Sequence, residues 1–517
     1  MLPKFYSPER CVTLLQGIRD GVPIGRVPAN SIIHSPNWPS AIQYHSKVSE
    51  IIVADLEAGK LHGPFSSPPY DHYIVSPLGA FPKRDPSKIR VIHDLSHPFE
   101  SSVNSLIPPE DYSLQYSTID TAVEACRAHS SPMMGNIDLQ DAYKAVGVRL
   151  EDWHLLGFTW DLDGSGEAFY FSRVLSFGLR SAPALFDQYA GALEKFMTHE
   201  GVAESIVRYV DDFLLVRGDR DTVNSQLDIM IMVARRAGFS IQDKKVTRAS
   251  QVVEFLGIVI DIPAGILRIS DTRLAEVKAL LARWSGTRWA TKRALLKLVG
   301  KLAFAARVVR TGRAFLGRLI GLSKKVSKLY HRVRLSESAQ RDIQWWIQCI
   351  DTHNGTPIAK VDWAIGPVID IYTDASNFGY GGVCRNEWFA MAYTGQAAPL
   401  GSRSINWREL HAAVKALATW GPALGGQKVV FHIDNSTTCY ILARMYTPVP
   451  ELMDLVRSWC LLIEKVNIVW TARYISTHDN VRADLLSRGE IEKFKAVQGP
   501  GESRIWPQPV SYFDDIV

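Results

Sequence analysis

The chain has 517 residues, is 46% hydrophobic and 21% charged, and carries a formal net charge of +5. That length exceeds the roughly 250–300 residues at which one core stops growing, so several domains are expected, and the composition excludes a disordered or low-complexity chain. The six cysteines (Cys11, Cys126, Cys349, Cys384, Cys439, Cys460) form no C-x-x-C pair, which argues against a zinc knuckle or disulfide framework and fits a reducing, intracellular setting. No apolar run approaches the ~18–20 residues of a membrane span, and the first residues do not read as a signal peptide.

Residues 1–60 begin with turn-rich pieces, Gly21-Val22-Pro23 and Asn37-Trp38-Pro39. A helix is predicted from Ala41 to Lys60, with Ile42, Val48, Ile51, Ile52 and Leu56 as its buried stripe and Gly59 as a stop signal. This region shows no chemistry. From Tyr73 to Leu106 apolar strands flank a basic turn, with Lys83, Arg84, Lys88 and Arg90 within eight positions. The cluster reads either as a solvated hairpin tip or as a clamp for a polyphosphate.

A strand is predicted to end at Asp138, with Tyr143 five positions on. Leu155–Trp160 and Phe169–Val174 straddle Asp161-Leu162-Asp163-Gly164-Ser165-Gly166, a hairpin signal. Leu175-Ser176-Phe177-Gly178-Leu179-Arg180-Ser181-Ala182-Pro183 then enters a helix. In Ile206–Val216 two adjacent carboxylates, Asp211 and Asp212, sit between runs of β-formers, at or beside a tight turn. Like charges side by side repel, and burial would raise their pKa values. The pair is either an ordinary polar turn or part of a divalent-cation site needing a third carboxylate, for which Asp138 is the candidate. A helix from Asp221 to Ala237, the segment Gly238–Lys245 and a strand Glu254–Asp261 follow.

Taken in order, Lys-Arg-Asp…Arg, Ile-Asp-Leu-x-Asp-Ala-Tyr, Phe-Gly-Leu-x-Ser-Ala-Pro, Tyr-Val-Asp-Asp, Asp-Lys-Lys and Phe-Leu-Gly-Ile resemble the fingers and palm of a retroelement reverse transcriptase, over about residues 70–261. The phrases Ser76–Lys83, His93–Pro98 and Ser102-Val103-Asn104 are most similar to the DIRS-like, tyrosine-recombinase group of retrotransposons. The resemblance implies that Asp138, Asp211 and Asp212 hold two Mg²⁺ (or Mn²⁺) ions that activate a primer 3′-hydroxyl and neutralise the leaving pyrophosphate. It implies that Lys83 and Arg90 grip the incoming triphosphate, and that Tyr143 excludes a ribose 2′-hydroxyl. Phe177 and Gly178 would line the nucleotide pocket, and Lys245 would protonate the pyrophosphate.

Residues 271–334 hold 17 Lys or Arg against two acids, with helical patterning at Leu295, Leu298, Val299, Leu302 and Val309. After a polymerase palm, such a segment reads as a thumb tracking nucleic-acid phosphates; the alternative is a solvated helix face. Near Gly366 the pattern changes. A strand Ile369–Ser376, a return strand from Gly379, a helix from Ile405, a strand Val429–Asn435 and a last helix opened by Ile475–Arg488 resemble a ribonuclease H domain. By that resemblance Asp374, Glu409, Asp434 and Asp484 are its metal-binding carboxylates, with His478 where some relatives place a mobile histidine.

The expected fold class is α+β multidomain: a right-hand polymerase of fingers, palm and thumb, then an RNase H-like α/β domain with a mixed sheet. The expected layout is an N-terminal extension (1–60), fingers and palm (61–262), a basic helical thumb (263–365), ribonuclease H (366–490) and a tail (491–517). The implied function is that of an RNA- and DNA-directed DNA polymerase with ribonuclease H activity that copies retrotransposon RNA into DNA. The implied partners are RNA template, DNA primer, RNA–DNA hybrid and dNTPs, without a membrane, in the cytoplasm or nucleus, with an element-encoded recombinase and a capsid-like protein as further candidates. The alternatives are the polymerase of a Ty3-like element or pararetrovirus, and a catalytically silent nucleic-acid-binding relic.

Overall fold

Short apolar runs bounded by turns build the sheets, as their composition predicts. The computed structural model describes residues 4–25, 31–83, 85, 87–202, 206–498, 503–505 and 507. Two units are distinguished: residues up to Leu256 with Ile260–Ala264, and Gly257–Val259 with the chain from Gly265 onward.

In the first unit β1 (Leu78–Pro82) and β2 (Ile89–His93) pair as an antiparallel hairpin. β3 (Met133–Asp138), β4 (Ile206–Tyr209), β5 (Asp212–Arg217) and β6 (Thr247–Ser250) form a sheet ordered β6-β3-β5-β4. Two helices, α1 (Ala182–His199) and α2 (Arg220–Arg236), share its core. Phe213, Leu214, Leu215 and Val216 are all buried, which anchors β5 from both faces. Gly135 of β3 allows α2 to lie close on the sheet, since a side chain there would meet Leu227 at 2.5 Å. The predicted hairpin around residues 161–166 is present, as strands Gly157–Trp160 and Ala168–Ser172.

The N-terminal residues depart from the sequence reading. A helix spans Pro8–Asp20, where the sequence reading places no element; Ser7 caps it and proline opens it. Its Cys11 and Leu14 join the core under β3. The predicted helix Ala41–Lys60 is two helices, Pro39–Gln43 and His45–Glu57, because Tyr44 leaves helical geometry (φ −109°, ψ 33°). Val48 and Ile52 are buried as expected, but the break takes Ile42 off the stripe and leaves it exposed. The strand predicted over Glu254–Asp261 is also interrupted, at Leu256 and Gly257, which both have positive φ (51° and 78°).

In the second unit α3 (Asp271–Trp284), α4 (Lys292–Ala305), α5 (Gly317–Lys324) and α6 (Glu337–Cys349) precede a sheet. Leu295, Leu298, Leu302 and Val309 are buried, as their spacing predicts, and Arg293 and Lys297 are exposed. The sheet uses β7 (Val368–Ala375), β8 (Gly379–Cys384), β9 (Glu387–Ala392), β10 (Lys428–Ile433), β11 (Val469–Tyr474) and β12 (Ser503–Arg504), ordered β11-β10-β7-β8-β9-β12. It is mixed: β7-β8 and β8-β9 are antiparallel, and β7-β10, β10-β11 and β9-β12 are parallel. The helices α7 (Ile405–Trp420), α8 (Pro450–Val466) and α9 (Val481–Ser487) complete the unit.

A buried charge cluster ties α5, α6 and α8 together. Asp342 of α6 is fully buried and Arg457 of α8 is 2% exposed. Arg318 reaches Asp342 at 3.3 Å and Asp454 at 2.8 Å, and Arg457 reaches Asp454 at 3.0 Å. Burial pushes the Asp342 carboxyl up to about 6, against the pull of Arg457 and Arg318. Truncating one partner of such a cluster strands the others without water. Asp342→Ala should therefore cost about 3–5 kcal/mol in urea denaturation, whereas Asp454→Ala, at a half-exposed position, should cost clearly less.

Candidate active sites

In the first unit the register of the sheet makes the site. Asp212 opens β5 and is paired with Asp138 at the end of β3 on one side and with Tyr209 on the other. Between them Val210 takes positive φ (56°), so Val210 and Asp211 form the tight turn that the sequence predicts. The Asp211 carbonyl accepts from the Leu139 N–H (3.0 Å), and the Asp138 carbonyl accepts from the Gln242 N–H (3.0 Å). Asp138 is buried and the other two carboxylates are partly so. Burial, a hydrogen bond with Asp138 and the Asp211 charge push Asp212 up to about 7. Burial and the Asp138 charge also raise Asp211. Lys245 partly offsets this, its Nζ lying 2.9 Å from Asp138 Oδ2.

A cleft of about 670 Å³ opens beside these groups, lined by Asp138, Asp211, Lys83, Arg90, Phe177 and Lys245, among others. Arg84, the other residue of the predicted basic turn, lies outside the described residues. The Arg90 guanidinium sits 5.7 Å from the centre of the Phe177 ring. Tyr143 is packed on Phe177 (4.9 Å) and Phe186 (5.7 Å), so it reaches the cleft through Phe177 and does not line it. Gly178 does not line the cleft either. Its φ is 118°, and a side chain there would fall against the His93 carbonyl oxygen. The loop is clamped instead: His93 N–H donates to the Phe177 carbonyl (3.0 Å), and Asn104 Nδ2 donates to the Gly178 carbonyl (2.7 Å). Sequence reasoning missed Asp55 and Lys144, which also line the cleft and pair at 2.5 Å. An acid in a segment without motifs offers no signal that it meets a lysine 89 positions away.

In the second unit Asp374 lies next to last in β7, Glu409 in the second turn of α7, and Asp434 just after β10. One carboxylate oxygen from each lies within 4.8 Å of the others. Burial and the charges of Asp374 and Asp434 push Glu409 up to about 9. Burial and the charges of Asp434 and Asp484 push Asp374 up to about 7, against a hydrogen bond with Ser487. Glu409 Oε1 accepts from the Ala375 N–H (3.1 Å), while Oε2 is buried without a partner. Asp484 is near enough to perturb Asp374 but is itself held by Arg488 at 2.8 Å. Its approach depends on one glycine. Gly381 of β8 is paired with Asp374, and a side chain at Gly381 would meet Leu486 of α9 at 2.5 Å. Arg408, which sequence reasoning also missed, is buried and donates to the Ser376 carbonyl (2.5 Å) and Asn377 Oδ1 (2.9 Å), holding the turn after Asp374. His478 is exposed on a turn.

Both clusters fit a hard divalent cation. Each offers only oxygen donors, each concentrates like charge out of water, and Glu409 Oε2 is an orphaned buried acceptor.

Residues 81–260 match the family model described as reverse transcriptase (RNA-dependent DNA polymerase). The Gag-Pro-Pol polyprotein of Human T-cell leukemia virus 2 is 25% identical over 228 residues, 43% of this chain and 14% of that protein. The chain thus spans about a seventh of that relative's length. Among solved structures, a foamy viral protease-reverse transcriptase in complex with dsDNA aligns with TM-score 0.52 and 16% identity, covering 87% of this chain and 86% of the other. The foamy viral enzyme in complex with an RNA/DNA hybrid aligns with TM-score 0.51 and 15% identity, covering 91% and 61%. Residues 81–260 are therefore a reverse transcriptase domain of the retroviral and retroelement type. The chain as a whole has the expected α+β multidomain fold, a polymerase followed by an RNase H-like domain with a mixed sheet. Among the described residues no helix is long and apolar enough to cross a membrane.

The carboxylate shifts set a sign for stability. Glu409 has a native value of about 9 against an ordinary 4.5, so the native state holds a proton that the unfolded state has lost between those limits. Metal-free stability should fall as pH rises through that window. A cation that binds only the native state at 100 times its Kd should restore ~2.7 kcal/mol. Thermal melts from pH 5 to 9, with and without Mg²⁺, should show a falling melting temperature that Mg²⁺ flattens. Glu409→Gln should weaken both the slope and the Mg²⁺ effect; an unchanged slope in that variant would refute the assignment of charge strain to Glu409.

Proposed function

We propose that this protein is an RNA- and DNA-directed DNA polymerase with a ribonuclease H centre, and that it belongs to a DIRS-like retrotransposon. The observation that carries the reading is the register that sets Asp212 opposite Asp138 beside a cleft lined by Lys83, Lys88 and Arg90. In this reading Asp138, Asp211 and Asp212 would hold Mg²⁺ or Mn²⁺ in the polymerase, and Asp374, Glu409, Asp434 and Asp484 would hold it in the nuclease. Such ions, when bound in pairs, activate an attacking oxygen and stabilise a leaving one.

The chain's own residues do the rest. Lys83 and Arg90 bind the triphosphate, and the Arg90–Phe177 contact orients both against the base and sugar. Tyr143 backs Phe177 from behind, so sugar selection acts through the Tyr143–Phe177 pair. Lys245 lies on Asp138 and would carry a proton to the departing pyrophosphate. The exposed Arg293 and Lys297 of α4 would track phosphates. Lys292, by contrast, donates to the Val326 carbonyl (2.7 Å) and serves the fold. The DIRS-like placement rests on Ser76–Lys83, His93–Pro98 and Ser102–Asn104. Those segments include His93 and Asn104, which clamp the Phe177–Gly178 loop. Finding a tyrosine-recombinase gene beside this one would support the placement, and an integrase gene there would overturn it.

Primer extension on poly(rA)/oligo(dT) with Mg²⁺, run beside hydrolysis of a labelled hybrid, tests the reading. Asp211→Asn should abolish synthesis and spare hydrolysis, and Glu409→Gln should do the reverse. Loss of both activities from either change in a folded protein would overturn the assignment. In the same assay Tyr143→Ala should raise UTP use relative to dTTP by roughly ten-fold or more, the scale of relieving ~1–3 kcal/mol of overpacking. An unchanged ratio would make Tyr143 a core aromatic only.

A further inference from the structure

A third set of metal-ligating side chains lies apart from both carboxylate sites. Cys349 ends α6, His353 follows one turn later, and Glu464 lies in the last turn of α8. One donor atom from each lies within 4.8 Å of the others, and all three residues are partly exposed. We propose that Cys349, His353 and Glu464 form a Zn²⁺ site that staples the end of α6 to α8.

The surroundings are those of a ligand set. His353 Nδ1 lies 3.1 Å from the Cys349 carbonyl oxygen, which can only accept. Nδ1 also lies 2.9 Å from the Thr352 hydroxyl; with the ring proton on Nδ1 and donated to the Cys349 carbonyl, the Nε2 lone pair is bare and faces Glu464 Oε1 at 3.9 Å. Metal-bound histidines are oriented by this kind of backbone contact, and metal-bound carboxylates are hydrogen-bonded in turn. Glu464 meets the second condition. Its Oε1 accepts from the Thr311 hydroxyl (2.6 Å) and its Oε2 from the Trp345 indole N–H (3.3 Å). Each carboxylate oxygen keeps a lone pair. The site also lies at the C-terminal end of α6, where the backbone carbonyls favour positive charge.

The donor set selects the metal. One sulfur, one nitrogen and one oxygen suit Zn²⁺, and they exclude Mg²⁺, which takes oxygen only. Zinc bonds of about 2.0–2.3 Å hold tetrahedral donors about 3.3–3.8 Å apart, so modest rotamer shifts close the site. Water takes the fourth position through the exposed side. Binding would deprotonate the Cys349 thiol and release that proton to solvent.

The test uses the full chain with Mg²⁺ in excess, so that the carboxylate clusters are occupied. Co²⁺ is titrated as the spectroscopic probe and then displaced with Zn²⁺. A thiolate-to-cobalt charge-transfer band at one equivalent is expected, together with a rise in melting temperature on adding Zn²⁺. Cys349→Ser and His353→Ala should lose the band, and Cys439→Ser should keep it. Thr311→Val removes no ligand but takes away the hydrogen bond to Glu464 Oε1, and should lower Zn²⁺ affinity by about 10–100-fold. Absence of the band in the unaltered protein, or its survival in Cys349→Ser, would overturn the proposal. So would undiminished Zn²⁺ affinity in Thr311→Val, which would show that Glu464 is not a ligand.

Discussion

Two sets of carboxylates held close together, partly out of water, set the terms for the rest of this molecule. Each acid raises the pKa of its neighbours, and burial adds to the effect. Left to themselves such groups would separate or take up protons. They stay together because rigid backbone determines their positions. In the first unit the antiparallel register brings Asp138 to Asp212, and a one-residue slip would send one of them to the opposite face of the sheet. In the second, a strand and a helix that is buried along most of its length bring Asp374 to Glu409.

Glycines act as the spacers of both arrangements. Gly381 lets α9 come close enough for the Asp484 charge to reach Asp374. Gly178 brings the loop that carries Phe177 down onto the His93 carbonyl, where Asn104 holds it. Gly178 is thus a positioning residue for the cleft and no part of its wall. A motif read as pocket lining is better understood here as a backbone approach that any Cβ would block.

The basic segment shows how fold and charge compete. Seventeen Lys or Arg in residues 271–334 suggest a uniform phosphate-binding surface. The structure engages several of them within the protein: Lys292 with backbone carbonyls, Lys301 and Lys278 in surface ion pairs with Glu276 and Asp351, and Arg318 with the buried Asp342. Arg293 and Lys297 remain turned to solvent. Net charge therefore overstates the number of residues such a surface could offer a nucleic acid.

The amino-acid sequence by itself determined the elements with strong local signals. The Asp-Asp hairpin, the hairpin around residues 161–166 and the buried stripe of α4 follow from short-range pattern, because turn chemistry and side-chain periodicity are local, whereas the four acids of the second unit are legible only through a resemblance. Tertiary structure alone decided what depends on distant approach. It broke the helix at Tyr44, drew Pro8–Asp20 into the core, turned Gly178 away from the cleft and brought Asp55 to Lys144. It also set Glu464 beside Cys349 and His353. Spacing along the chain carries no record of such encounters, since they are fixed by how helices and sheets stack once their apolar faces are buried.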